Sequence, residues 1–335
     1  MGEAVDLADK NRAGTLPTDP KADARPMNAQ ARREVEERIT VLTTQEILMG
    51  AQTRALSRER VDFCTTGHWL LDEKTGGIRG QHGWVFAAET NWGKTAWLVS
   101  VADENLKAGK PVLIVSSEDD QSIYGDRLLV RRARCNATRL RNRTLTSEEQ
   151  DRVKDVVTGA EKLPVFVDAR GKSLKSVLKK CEELIRAHGI RLIAFDYLQE
   201  FRSDRRYQDE RVRFKELAAE LRGVAKDNAI PSIVFSQITV SEGKKYPDKY
   251  SIRESKDVAN AAEFILLGMT AIDDIPRPSG DAIGAGTRCV KVDKGKDAAK
   301  CLVPMSWNEE GAFFETVKDP DVAPDDYSDQ FEERY

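Results

Sequence analysis

Short apolar runs alternate with longer stretches of helical rhythm through the middle of this chain, and that alternation predicts its architecture. Strand candidates fall at 83–88, 112–117, 164–168, 191–196, 231–236, 263–268, 288–293 and 301–307. The clearest helix lies at 173–188, where Leu174, Val177, Leu178, Cys181, Leu184 and Ile185 share one face and lysines occupy the other. Buried strands separated by amphipathic helices predict an α/β fold, a mostly parallel sheet with helices on both faces. Ligands in such a sheet sit at the carboxyl ends of the strands.

The flanks read differently. Residues 1–28 are polar with almost no apolar pattern and predict a disordered tail. The 29–60 segment is charged, with apolar residues at Val35, Ile39, Leu42, Ile47, Leu48 and Leu56, and predicts one or two helices. Thr43 followed by Glu46 has the form of a capping box, so a helix is expected to start there. One core then spans 61–318. The 319–335 stretch carries seven acids against Arg334 alone and predicts an acidic disordered tail, either solubilising or a dock for a basic partner.

Composition narrows the class. With 40% hydrophobic and 33% charged residues over 335 positions, the chain is of globular type. A net charge of −3 supplies no global basic field, so any nucleic-acid contact must come from local loops. Cys64, Cys135, Cys181, Cys289 and Cys301 form no C-x-x-C pair, which argues against a zinc site or disulfide framework and suits a reducing cytoplasm. No stretch has the length and apolarity of a membrane span.

Chemistry concentrates at the predicted strand ends. The run from Trp84 to Ala96 is an apolar strand, a tight loop ending in Gly93-Lys94-Thr95, and the start of a helix. That layout suits a phosphate-binding loop: helix-start N–H groups cradle phosphate, the lysine reaches the β- and γ-phosphates, and the threonine hydroxyl meets Mg²⁺. Ala88, Glu89, Thr90, Asn91, Trp92, Gly93, Lys94, Thr95 and Ala96 would line it, although the strict pattern has Gly where this chain has Ala88. Leu192–Asp196 is a strand ending in an acid, suited to supporting the metal. Val112–Glu118 ends in another, suited to polarising a water. Ser232–Gln237 ends in an amide that would report on a γ-phosphate. ATP and Mg²⁺ are the expected ligands.

The order of these elements resembles the RecA-like P-loop NTPase core of the DnaB-like replicative helicases, over about 62–317. That family often has Ala at the first position of its phosphate loop. Thr65-Thr66-Gly67 through Gly76-Gly77-Ile78 resembles its segment before that loop, and Ser117-Glu118 with Arg127-Leu128-Leu129 its catalytic-glutamate motif. Phe195-Asp196-Tyr197-Leu198-Gln199 is close to its D-Y-L-Q signature, the sharpest match. Ile230-Pro231 to Ser236-Gln237 resembles its sensor strand, and Ser251-Ile252-Arg253-Glu254-Ser255 its last common motif. The resemblance implies phosphate and magnesium binding by Lys94 and Thr95, a general base in Glu118, metal support by Asp196 and γ-phosphate sensing by Gln237. It implies a DNA helicase working as a homohexameric ring with ATP between subunits and single-stranded DNA in the pore, in a bacterial or phage-infected cell, with a primase, polymerase or loader as possible partners.

Two departures stand out. The family presents Lys-x-Arg on a late strand, its arginine acting on the neighbour's ATP; here the nearest match is Lys294-Gly295-Lys296. Either a lysine replaces the finger, or this is a basic turn. Second, 1–60 is too short for the family's helical collar, and the 29–60 helix is either a linker to the next subunit or an intramolecular helix. Pore loops are expected after Asp196, with Arg202, Arg205 and Arg206, and after Gln237, with Lys244, Lys245, Lys249 and then Arg253. Two other readings remain: a RecA- or RadA-like recombinase or mediator, and a low-turnover ATP-gated DNA-binding scaffold.

Overall fold

The computed structural model describes residues 43–57, 62–160, 165–238, 245–252, 261–276, 282–296 and 298–318. The expected tails at 1–28 and 319–335, Lys244 and Arg253 lie outside them. The chain divides into two units, Met1–Glu59 and Arg60–Tyr335. In the first, α1 (Thr44–Leu56) begins at the predicted capping box: Glu46 N–H donates to Thr43 Oγ1 at 3.2 Å, and Thr43 N–H donates to Glu46 Oε2 at 2.7 Å. Ile47, Leu48, Met49 and Leu56 of this helix are exposed.

The second unit is built on an eight-stranded sheet. In chain order it comprises α2 (Trp69–Thr75), β1 (Gly83–Ala88), α3 (Lys94–Lys107), β2 (Val112–Ser116), α4 (Gln121–Ala133), α5 (Ala137–Asn142), α6 (Ser147–Thr158), β3 (Phe166–Asp168) and α7 (Leu174–His188). There follow β4 (Leu192–Asp196), α8 (Glu210–Asp227), β5 (Ser232–Gln237), β6 (Phe264–Thr270), β7 (Ile275–Pro276), β8 (Ala282–Ile283), β9 (Arg288–Gly295), β10 (Cys301–Pro304), β11 (Trp307–Asn308) and β12 (Phe313–Phe314). The sheet order is β10-β9-β6-β1-β5-β4-β2-β3. Pairings from β6 through β3 are parallel, and β9 and β10 add an antiparallel edge.

Strand alternation sorts the core into two layers. From β1, Trp84, Phe86 and Ala88 face one side with Trp97, Leu98 and Val101 of α3; Phe86 stacks on Trp97 with ring centroids 4.2 Å apart. Val85 and Ala87 face the other, against Val177, Cys181 and Ile185 of α7 and Leu217 and Leu221 of α8. The predicted apolar face of 173–188 is thus the buried face of α7. The expected 301–307 strand divides instead: Trp307 leaves the main sheet to pair with Phe314, where its ring meets Phe314 edge-on at 4.8 Å and the Arg288 guanidinium at 3.9 Å.

A buried ion-pair network ties the first layer together. Arg131, 2% exposed, donates from Nε to Asp103 Oδ2 at 2.9 Å and from Nη2 to Glu104 Oε1 at 2.7 Å and Thr316 Oγ1 at 2.8 Å. Its Nη1 donates to Ser100 Oγ at 3.2 Å and to the Phe314 carbonyl. One guanidinium thereby joins α3, α4 and the strand at β12. Burial alone would raise the Asp103 pKa, but Lys107 and Arg132 outweigh it and the carboxyl lies below its ordinary value. Removing one member of a buried network strands the others, so Arg131→Ala is expected to cost about 3–5 kcal/mol of stability. Urea unfolding measures this, and an unchanged midpoint would refute the network's role.

Candidate active site

The loop after β1 turns on two residues of left-handed backbone. Asn91 (φ 66°) and Gly93 (φ 109°) both take left-handed conformations, and a Cβ on Gly93 would also lie 3.2 Å from Phe314. Gly93 caps α3, whose fourth N–H, that of Trp97, donates to the Gly93 carbonyl at 2.9 Å. The N–H groups of Lys94, Thr95 and Ala96 have no intrahelical acceptor, as in any first turn, and form the positive end of the helix. Glu89, Thr90 and Asn91 are exposed, whereas Trp92 is buried and donates from Nε1 to the Met269 carbonyl at 2.9 Å. Trp92 thus anchors the loop to β6 and stacks on Phe314 at 4.8 Å.

Parallel pairing brings the other predicted tips to this loop. Ala88 stands opposite Gln237 across β1 and β5, and Ser116 opposite Asp196 across β2 and β4. Because β5 lies between β1 and β4, Gln237, Asp196 and the loop carrying Glu118 all emerge at the same end of the sheet. Lys94 Nζ lies 3.5 Å from the Ala88 carbonyl and 5.7 Å from the Tyr197 ring centroid. Burial lowers its pKa, with Asp196 and Glu118 pulling the other way.

Asp196 is almost fully buried, and its two oxygens differ. Oδ2 accepts from Thr95 Oγ1 at 3.3 Å and from the Tyr124 hydroxyl at 2.7 Å, while Oδ1 is buried without a hydrogen-bond partner. Burial raises the Asp196 pKa. A buried acceptor awaiting a donor, next to a threonine hydroxyl, is a hard-oxygen set that fits Mg²⁺ held through its water shell. Glu118 stands at the mouth, its pKa pushed up to about 7 by partial desolvation and by the Asp119 and Asp196 carboxylates, with Lys94 opposing. Gln199 donates to Ser236 Oγ at 2.9 Å, linking the turn after β4 to β5.

Other predicted residues lie elsewhere. Lys294, near the end of β9, and Lys296, just beyond it, sit at the opposite end of the sheet from the phosphate loop because β9 runs antiparallel to β6. There Lys296 N–H donates to the Glu263 carbonyl at 3.1 Å, and Glu263 N–H to the Gly83 carbonyl at 3.0 Å. Arg202, Arg205 and Arg206 follow β4 and are exposed; Arg205 pairs with Glu216 at 3.1 Å. Lys245 pairs with Asp273, and Lys249 Nζ lies 5.1 Å from the Tyr250 ring centroid. The two loops leave the carboxyl ends of adjacent strands, β4 and β5. Sequence reasoning missed Tyr124, whose only signal was an aromatic position one turn into the helix after Glu118. It also missed the Trp92–Phe314 stack, which joins residues with no local relation.

Comparison with known proteins follows the same lines. The chain is 27% identical over 210 residues to a probable replicative DNA helicase of Trieres chinensis, covering 61% of this chain and 46% of that protein. It is 27% identical over 208 residues to the replicative DNA helicase DnaC of Bacillus subtilis (strain 168), covering 60% and 46%. The chain thus spans about half the length of the curated relatives it matches. Among solved structures, that of a DnaB-like replicative helicase and its interactions with primase superposes with a TM-score of 0.71 at 18% identity, over 86% of this chain and 71% of that one. A separately solved ATPase domain gives 0.71 at 19%, over 83% and 100%. These likenesses establish the RecA-like fold. A family model, the DnaB-like helicase C-terminal domain, matches residues 64–315, spanning the phosphate loop, the three polar strand tips and the aromatic stack behind them, and the chain belongs to that family.

Proposed function

We propose that this chain is the ATP-hydrolysing motor of a replicative DNA helicase, assembling as a ring, in the expected case a homohexamer, on single-stranded DNA in the cytoplasm of a bacterium or a phage-infected cell. The observation that carries this reading is the convergence of Lys94, Thr95, Glu118, Asp196 and Gln237 at one end of a parallel sheet, within a DnaB-like helicase domain. That membership favours a helicase over a recombinase. A primase, polymerase or loader remains a possible partner.

The first turn of α3 would receive the β- and γ-phosphates, with Lys94 adding a positive charge. Thr95 Oγ1 and the free Oδ1 of Asp196 would hold magnesium, which when bound neutralises charge on the phosphate oxygens. Glu118 accepts the proton of the attacking water, and Gln237, opposite Ala88, senses the γ-phosphate. Lys296, at the far end of the sheet, serves the nucleotide of a neighbouring subunit; Lys294 stands two residues before it. Arg202, Arg205 and Arg206 in the segment after β4, with Lys244, Lys245, Lys249 and Arg253 later in the chain, would track DNA phosphates.

ATP hydrolysis is therefore expected to rise when single-stranded DNA is added. Lys94→Ala should lower it at least about a hundredfold. Glu118→Gln should do the same while retaining nucleotide binding. Full turnover in Glu118→Gln would support the scaffold reading instead. Glu118 works as a base only when ionised, so turnover should fall as pH drops through about 7 and level off above it. A flat profile across neutral pH would count against Glu118 as the base. Lysine supplies charge without the bidentate fork of arginine. Lys296→Arg should accordingly raise turnover, and mixing inactive Lys296→Ala with inactive Lys94→Ala should restore it through mixed interfaces. Undiminished hydrolysis by Lys296→Ala alone would remove Lys296 from the mechanism.

A further inference from the structure

We propose that Tyr124 is a positioning residue for the metal-supporting carboxylate: its hydroxyl holds Asp196 Oδ2 in place beside Thr95 and leaves Oδ1 without a protein donor. The inference rests on the reading of Asp196 as the metal-supporting residue. Tyr124 is 5% exposed, and its hydroxyl donates to Asp196 Oδ2 at 2.7 Å, a shorter bond than the 3.3 Å one from Thr95 to the same oxygen. Both donors fall on one oxygen, and the other, buried as well, has none. A carboxylate held by one weak bond can rotate about its terminal torsion; two donors converging on Oδ2 define which oxygen stays beside Thr95 and which is left without a protein donor.

The placement also joins two parts of the site. Asp120 caps α4, accepting from Ser122 N–H at 2.9 Å, so Tyr124 stands one turn into the helix that begins just after Glu118. The tyrosine ring packs against Phe166 at 5.0 Å, which fixes its direction independently of Asp196. The hydroxyl therefore ties the side chain of Asp196 to α4, in addition to the bond from Ser117 N–H to the Asp196 carbonyl at 2.8 Å that already joins the backbone of β4 to the segment carrying Glu118.

The test is binding of a fluorescent N-methylanthraniloyl ADP to the full chain, titrated with magnesium chloride. Tyr124→Phe keeps the ring and removes the donor. It is expected to raise the magnesium concentration at half-maximal binding about tenfold, in line with losing a hydrogen bond to a charged group. Binding in EDTA should be unchanged, a readout that general damage to the fold would not spare. In an Asp196→Asn background the same change should move the midpoint no further, because the hydroxyl acts through that carboxylate. Should Tyr124→Phe fold poorly, 4-fluorophenylalanine at this position fills the hydroxyl's volume without a donor and should give the same shift. A midpoint equal to wild type in either variant, or an equal shift in both backgrounds, overturns the proposal. Failure of the wild-type chain to bind the nucleotide at all would overturn the nucleotide-site reading beneath it.

Discussion

A loop that grips an anion must keep its inner surface clear, so whatever holds its shape has to act from behind. Trp92 does this. Its indole is 3% exposed, bonded to the Met269 carbonyl and packed between Phe86 and Phe314. Burying an aromatic of this size is worth roughly 4–6 kcal/mol, against about 1 kcal/mol for the stacking geometry, so burial is the larger restraint. Room for it depends on Gly268, where a Cβ would lie 2.8 Å from the Trp92 ring. Behind Phe314 stands Arg131, which binds the Phe314 carbonyl together with Asp103 and Glu104 of α3. The loop, the helix it opens and the helix that follows Glu118 are consequently held as one packed assembly.

With that loop fixed, the sheet decides what can reach it. Strands β1, β5, β4 and β2 lie side by side and point the same way, so the segments that follow their carboxyl ends emerge together at one end of the sheet. Charge is arranged there with little slack. Lys94 is the cation between Asp196 and Glu118, and the Asp196 carboxylate raises the proton affinity of Glu118. Two carboxylates thus stand against one lysine, and the buried Oδ1 of Asp196 has no protein donor, so a triphosphate bound as proposed above would need added positive charge here.

The local parts of this arrangement were legible in the sequence. A strand followed by Gly93-Lys94-Thr95, acids at Glu118 and Asp196, and the capping box at Thr43 are all set by neighbours within a few residues, and the structure places each where the pattern indicated. The α7 stripe was legible because 3.6-residue periodicity is itself the record of a buried face. Contacts between distant segments left no such record. Tyr124 and Asp196 are 72 residues apart, and Arg131 and Phe314 are 183. Nothing in the spacing around Tyr124 separates a tyrosine that packs from one whose hydroxyl matters. Pairing of Trp307 with Phe314 was hidden in the same way, since an apolar run at 301–307 reads as one strand until a tertiary aromatic contact divides it.

Strand direction places the lysines at 294 and 296 far from the phosphate loop of their own chain. Lys296 is joined to Glu263, and Glu263 to Gly83, at the amino end of β1. From Gly83 to Ala88 is five strand steps, about 17 Å. A lysine stem covers less than half of that, so no rearrangement of this side chain within the folded sheet brings it to its own phosphate loop. Were a cation from this position to serve a nucleotide, that nucleotide would have to lie on a second copy of the chain. On the function proposed above, the phosphate grip and the general base would belong to one subunit and the last positive charge at the γ-phosphate to its neighbour, so the direction of one antiparallel strand would tie hydrolysis to assembly.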